Sequence, residues 1–185
     1  MPKTRREVPK QTKVDEIVEL AERQLSDGGY EALSVAAIAR ELGVAQNAVY
    51  WYFPSRDHLF VAALERMMER VAARKPAAST DATARILWFA DQFATLWRLR
   101  GAIAERARNA QVVAEFEQNL EQLLSRMLTN AFRGHVAAEE LPVAAAAFRS
   151  TIEGTFVKEL DRSERDRQLR FVLARLWSER GSSPS

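Results

Sequence analysis

The sequence predicts an all-α protein of about nine helices in two parts, a small helix-turn-helix domain followed by a larger helical domain. Three observations predict it. Apolar residues recur every three or four positions along most of the chain, the spacing that gathers them on one helix face. Glycine and proline fall between those stripes, where helices stop and start. From Thr80 onward no stretch alternates apolar and polar residues as a half-buried strand would.

Residues 1–11 are polar, include Pro2 and Pro9, and carry Lys3, Arg5, Arg6 and Lys10, which reads as a disordered basic arm. Such an arm is either an ordinary solvated terminus or one that contacts a DNA minor groove or phosphates. A first helix is expected from Thr12, with Asp15 placed as in a capping box. Val14, Ile17, Val18, Ala21 and Leu25 form its stripe, and Gly28 and Gly29 stop it. Ser34 suits the N-cap of a second helix whose buried face is Ile38, Ala39 and Leu42. Gly43 ends that helix, where the exit favours a left-handed residue. Val44 and Val49 carry the apolar face into a third helix at about Gln46 to Tyr52. Small Ala39 allows close approach and Gly43 a sharp angle. The result is a helix-turn-helix, whose second helix can enter a DNA major groove.

Pro54 and Ser55 separate this from a longer helix, with Ser55 as cap and Asp57 at its positive end. Leu59, Phe60, Ala63, Leu64, Met67 and Val71 are its buried face. It dies out at Lys75-Pro76-Ala77-Ala78-Ser79, the strongest linker signal in the chain. The expected division is therefore a domain at 12–75, a second at 80–180, and a disordered tail at 181–185.

In the second domain a helix from about Asp81 to Trp97 carries Trp88, Phe89, Phe93 and Trp97. Gly101 marks a break before a short helix to about Arg108. A long helix follows from about Val112 to Arg133, striped by Phe116, Leu120, Leu123, Leu124 and Leu128 and ended by Gly134. Pro142 opens a helix to about Leu160. The last spans about Ser163 to Arg180 with Leu169, Val172, Leu173, Leu176 and Trp177 on one face. Gly154, inside the penultimate helix, costs about 1 kcal/mol relative to alanine, which a close helix contact would justify.

Composition bounds the function. The net charge of +2 is too small for sequence-blind wrapping of nucleic acid. Without cysteine there is no disulfide, thiol nucleophile or Cys-based zinc site. No run of about 18 apolar residues could span a membrane, and MPKTRREVPK lacks the apolar core of a secretory signal, so a cytoplasmic protein is expected. The only histidines, His58 and His135, stand far apart with no nucleophile motif, and Glu115 and Glu117 read as solvated faces. No enzyme, metal or cofactor is expected.

On the third helix Gln46, Asn47 and Tyr50 project away from the Val49 face. Gln and Asn can each pair with adenine through two hydrogen bonds, and Ala48 is small enough to meet a thymine methyl. Tyr50, Tyr52, Arg56 and Ser34 suit phosphate contacts. Trp51 and Phe53 are expected in the core. Ser34, IARELGV from Ile38, AVYWYF from Ala48 and SRDHLF from Ser55, in that order, resemble the DNA-binding domain of tetracycline-repressor (TetR) family regulators. The resemblance covers about Val14 to Leu64. It implies that Ser34, Gln46, Asn47, Tyr50, Tyr52 and Arg56 touch DNA. Arg56 stands where that family usually has lysine, and Tyr52 where it often has histidine.

The resemblance also implies a small-molecule pocket among the C-terminal helices. Its candidate lining is Trp88, Gln92, Phe93, Phe116, Asn119, Phe148 and Ile152, with Gln92, Asn119 and Glu153 as the polar groups to watch. The same aromatics would equally fill an empty core. It further implies a homodimer joined through the last two helices, with Phe148, Thr155, Leu169, Leu173, Leu176 and Trp177 as contacts. The expected function is a dimeric repressor that leaves operator DNA when a small hydrophobic or aromatic effector binds. The alternative is an effector-independent architectural protein on the same scaffold.

Overall fold

The computed structural model describes residues 10–77 and 80–178. The tail expected at 181–185 and most of the arm at 1–11 lie outside the described residues. Ten helices are present among them: α1 (Lys10–Ala32), α2 (Val35–Glu41), α3 (Gln46–Tyr52), α4 (Arg56–Ala73), α5 (Ala82–Gln92), α6 (Ala94–Arg98), α7 (Arg100–Ala107), α8 (Gln111–Phe132), α9 (Leu141–Val157) and α10 (Arg162–Ser178). The chain forms two compact units. The first takes the described residues up to Arg70 together with Ala102–Ala114; the second takes Val71–Gly101 and the described residues from Glu115 on. The stretch expected as a linker falls between α4 and α5. The units divide elsewhere, within α4, α7 and α8.

In the first unit Ile17, Ala21 and Leu25 of α1, Ile38 and Ala39 of α2, Val49 of α3, and Leu59, Phe60, Ala63 and Leu64 of α4 make one closed core. Helix α1 already runs at Lys10, so Thr12 is not its cap. Asp15 instead pairs with Arg66 of α4. Gly28 and Gly29 leave helical geometry, with Gly29 at φ 69°, and break α1 where the sequence predicts its stop. Ser34 Oγ accepts from Ala37 N–H at 3.2 Å, and the Gln24 side chain accepts from Ser34 N–H at 2.8 Å. Two otherwise orphaned donors at the start of α2 are thereby satisfied.

The turn of the helix-turn-helix is a Schellman motif. Val44 N–H reaches Ala39 O at 3.0 Å and Gly43 N–H reaches Arg40 O at 3.2 Å. Gly43 supplies the left-handed residue, at φ 64°. The same hydrogen-bond pattern ends α9, where Leu160 N–H meets Thr155 O and Glu159 N–H meets Phe156 O, both at 3.1 Å. There the left-handed position, φ 52°, is held by Glu159.

In the second unit the helix expected at 81–97 is two. Phe93, at φ −86° and ψ 12°, closes α5 and opens α6, which raises the count from nine to ten. The break expected at Gly101 falls instead at Leu99, the C-cap of α6. Pro142 stands in the first turn of α9 as expected. Helix α10 packs on α5 and α9, and α6 on α9. The packing is pinned by buried Arg165 of α10, which donates to Asp91 Oδ1 of α5 at 2.9 Å and lies over the Phe156 ring.

Residues 43 and 159 yield opposite predictions. A Cβ on Gly43 would meet nothing within 4 Å, so Gly43→Ala should lose only the left-handed backbone cost, about 1 kcal/mol. Glu159→Gly should gain a comparable amount less glycine's greater unfolded-state entropy, a net stabilisation below about 1 kcal/mol. Urea denaturation of both variants checks this. The same sign in both would contradict it.

Candidate nucleic-acid interface

Helix α3 buries one line of side chains and exposes the rest. Val49 is 0% exposed, while Gln46, Asn47, Ala48 and Tyr50 are open to solvent. The sequence places Trp51 in the core, but it is 68% exposed, its ring edge-on to Tyr52 at 4.8 Å. The cause is angular. Two residues beyond Val49 is about 200° around the helix, so the side chain that follows the core face by two must leave it. Phe53, expected in the core, is half-buried at the end of α3, as is Tyr52. Ser34 uses its oxygen on the α2 cap, which leaves the hydroxyl hydrogen to donate.

Arg56 is occupied within the protein. Its guanidinium donates to Tyr30 O, lies 4.0 Å over the Tyr30 ring and stands 3.9 Å from Glu31. It anchors the end of α1 rather than reaching out freely for a phosphate.

Beneath it lies a cluster that the sequence does not reveal. Asp57, on the first turn of α4, is buried. Its Oδ1 accepts from Tyr30 Oη at 2.7 Å and from Arg106 Nε at 3.0 Å, and its Oδ2 accepts from Arg106 Nη2 at 2.8 Å. This bidentate, charge-assisted pairing ties α7 to α4 and α1 inside the first unit. The Arg106 hydrogen bonds hold the Asp57 carboxyl below its ordinary range, against the opposing effect of burial. Burial first, and then the bond to Asp57, push the Tyr30 phenol up to about 12. Asp57 is legible only as a carboxylate suited to a helix start, because Tyr30 and Arg106 lie 27 and 49 residues away.

Residues 17–63, the span that builds this core and its exposed helix, match bacterial regulatory proteins of the tetR family. That stretch is a tetR-family helix-turn-helix domain. The HTH-type transcriptional repressor KstR of Rhodococcus jostii is 49% identical over 49 residues, covering 26% of this chain and 23% of that protein. Across the first-matched curated relatives the chain spans 23 to 39% of their length. A transcriptional regulator from Rhodococcus sp. Rha1 shares the fold at TM-score 0.76 and 18% identity, covering 92% of this chain and 99% of that one. A regulator from Saccharomonospora viridis, solved in complex with choline, superposes at TM-score 0.73 and 16% identity over 89% and 96% of the two chains.

The second unit contains a cavity of about 270 Å³. Ile86, Phe89 and Phe93 line it beside Trp97 of α6, Leu124 and Leu128 of α8, and Ile152 of α9; Arg85 and Asn130 are its polar members among the described residues. Of the seven side chains expected there, Phe93 and Ile152 are in place. Trp88 and Gln92 are displaced around α5, because the face that turns inward is 86, 89, 90 and 93. Phe116 is buried in the core near the start of α8, Asn119 is exposed, and the cavity uses the other half of that helix. Phe148 is fully buried, edge-on to Phe132 at 5.5 Å. Glu153 faces Arg100 at 3.7 Å, and that arginine also meets Glu121 at 2.6 Å and Glu117 at 4.0 Å. Glu117 is thus part of an ionic cluster rather than a solvated face.

The expected dimer contacts are also placed differently. Phe148, Thr155, Leu169 and Leu173 are 2% exposed or less, because they already pack within their own chain. Leu176 and Trp177 are half-buried, Trp177 stacking on His135 at 4.4 Å. The apolar side chains left open on these helices are Val143 and Val157 of α9 and Phe171 of α10, at 72, 82 and 62% exposed.

The Asp57 cluster predicts a pH dependence. A carboxyl whose pKa is lowered by folding stabilises fully above its unfolded value, about 4, and loses that contribution as pH falls through the lower folded value. Asp57→Asn should therefore cost about 2 kcal/mol at pH 7, and the gap from wild type should close toward pH 3. Urea melts at the two pH values measure it; a gap independent of pH would refute it.

Proposed function

We propose that the chain is a cytoplasmic, dimeric transcriptional regulator, in the sense of a repressor released from operator DNA by a small apolar effector. The observation that carries this reading is α3 itself. Gln46, Asn47, Ala48, Tyr50 and Trp51 stand together in solvent on a helix held by one buried valine. Amide side chains can read adenine, and Ala48 and the Trp51 ring offer apolar contact to thymine methyls. Tyr52 and the Ser34 hydroxyl are placed for phosphates, which fix register without reading sequence.

One seven-residue helix reads few bases, so two copies about one helical turn of DNA apart are needed for affinity and specificity. The face that suits a second copy is on α9 and α10. Val143, Ala147, Ser150, Gly154 and Val157 follow one another at steps of four and three, and every one is at least partly exposed. The Gly154 position supports the same reading. A Cβ there meets nothing within 4 Å in its own chain, so the close neighbour that glycine would admit is not an intramolecular one. Small side chains flanked by valines, with Phe171 beside them on α10, fit a symmetric helix–helix seam.

The cavity of the second unit supports an effector site, as does choline in the Saccharomonospora viridis regulator's structure. An effector acts by binding better to the form that fits DNA poorly; its differential affinity sets how far binding shifts.

Selection of bound sequences from a random DNA library at stated salt tests the reading. A sharp near-palindrome is expected; weak, steeply salt-dependent and motif-free binding would favour an architectural protein instead. Gln46→Ala and Asn47→Ala should each lower operator affinity by about 1–3 kcal/mol and relax the motif at a defined position. Val157→Asp combined with Phe171→Asp should leave helicity intact, sediment as a monomer and reduce operator affinity by about a hundredfold or more. A dimer that survives both substitutions removes this seam from consideration.

A further inference from the structure

The start of α2 is capped from two helices. Ser34 Oγ accepts from Ala37 N–H, while Ser34 N–H is itself taken by the side chain of Gln24 on α1, at 2.8 Å. In a capping box that second bond comes from a glutamate or glutamine three residues into the same helix. Here that position is Ala37, which has no side-chain acceptor, and Gln24 replaces it from α1. A backbone N–H can only donate, so the atom of Gln24 that meets it is the carbonyl oxygen. This settles which way the amide is turned. The other branch of the same planar group is an NH2 with two hydrogens to give.

Those two hydrogens meet no acceptor among the described residues, and Gln24 is half-buried with its Nε2 still open to solvent. The Ser34 hydroxyl hydrogen is unspent as well, because Ser34 Oγ is used as an acceptor. An amide donor of α1 and a hydroxyl donor of α2 therefore sit side by side, on two residues bonded to each other. What they lack is an oxygen. In a helix-turn-helix the first helix of the motif crosses the phosphate backbone while the second enters the groove. Neutral amides and hydroxyls are ordinary donors to phosphate oxygens there.

We propose that Gln24 is a DNA contact supplied by α1, its Nε2–H donating to the phosphate that the Ser34 hydroxyl meets while its Oε1 holds the cap of α2. One amide thus joins the placement of the helix-turn-helix to the backbone it grips. The contact fixes register and reads no base. Sequence gives no sign of it, since Gln24 lies ten residues from Ser34 on a different helix. The assignment rests on reading α3 as the helix that enters the groove.

Gln24→Glu in the whole chain separates the two ends of the amide. It keeps an oxygen for Ser34 N–H, so its urea midpoint should match or exceed that of wild type. It replaces the donor by a second carboxylate oxygen, so affinity for the selected operator should fall about tenfold or more with the selected motif unchanged. A merely structural role would leave operator affinity where stability is. Methylphosphonate substitution, one phosphate at a time along the operator, should then find a position in each half-site where wild type loses affinity and Gln24→Glu loses none. Wild-type affinity in Gln24→Glu, the absence of such a phosphate, or an altered motif would each overturn the contact. A lowered urea midpoint would overturn the amide orientation on which it stands. If wild type binds DNA without a motif, the regulator reading fails and the same comparison on a random duplex decides the contact. If wild type binds no DNA, both fall. A sharp operator that Gln24→Glu binds as wild type does overturns the contact alone.

Discussion

The first unit depends on one buried carboxylate. Asp57 gathers the Tyr30 hydroxyl and both arms of the Arg106 guanidinium at 2.7 to 3.0 Å, so three helices distant in sequence meet at two oxygen atoms. Hydrogen bonds to an ionised group are worth more than neutral ones, and removing a partner strands a buried charge or donor. The stack of Arg56 on the other side of Tyr30 extends the same joint. What the joint positions is the start of α4, whose Leu59 and Phe60 are buried in the core. Helix α3 contributes little to its own placement, because it has seven residues and one buried side chain.

The parts of this fold that sequence makes legible are those governed by local rules. Ser34 as a cap, Gly43 as a left-handed exit, the pair Gly28–Gly29 as a break and Pro142 in a first turn are each dictated by backbone chemistry at one position. Angular reasoning also identifies Val49 as the buried side of α3 and Gln46 and Asn47 as its open side. The same reasoning carried two residues further places Trp51 in solvent; aromatic character alone is what suggests a core position. Tertiary partners escape sequence reading for a different reason. Nothing near Arg106, Arg165 or Arg100 says which carboxylate each will meet, since the answer depends on helices dozens of residues away.

The second unit shows a further limit. A stripe of apolar residues says that a helix face will be covered, but not by what. Phe148, Leu169 and Leu173 have the strength of a dimer seam and are covered by their own chain, whereas Val143, Ala147, Gly154 and Val157 look weak and remain open. Symmetric helix pairs favour such small, flat faces, because backbones can then approach closely. The cavity shifts in the same manner: a rotation of one residue around α5 brings Phe89 in beside the expected Phe93 and leaves Trp88 and Gln92 out.

The division of the chain into units has a consequence for modularity. The stretch between α4 and α5 resembles a hinge between two exchangeable cassettes, and a fusion or truncation would naturally be made there. Such a cut would carry Tyr30 and Asp57 away and leave Arg106 behind, since Ala102–Ala114 belongs with the first unit. The transplanted fragment would bear a buried carboxylate stripped of its cation. The unit that carries α3 is therefore not a portable part: an exchange of its exposed surface would have to proceed by grafting α3 residues onto an intact chain.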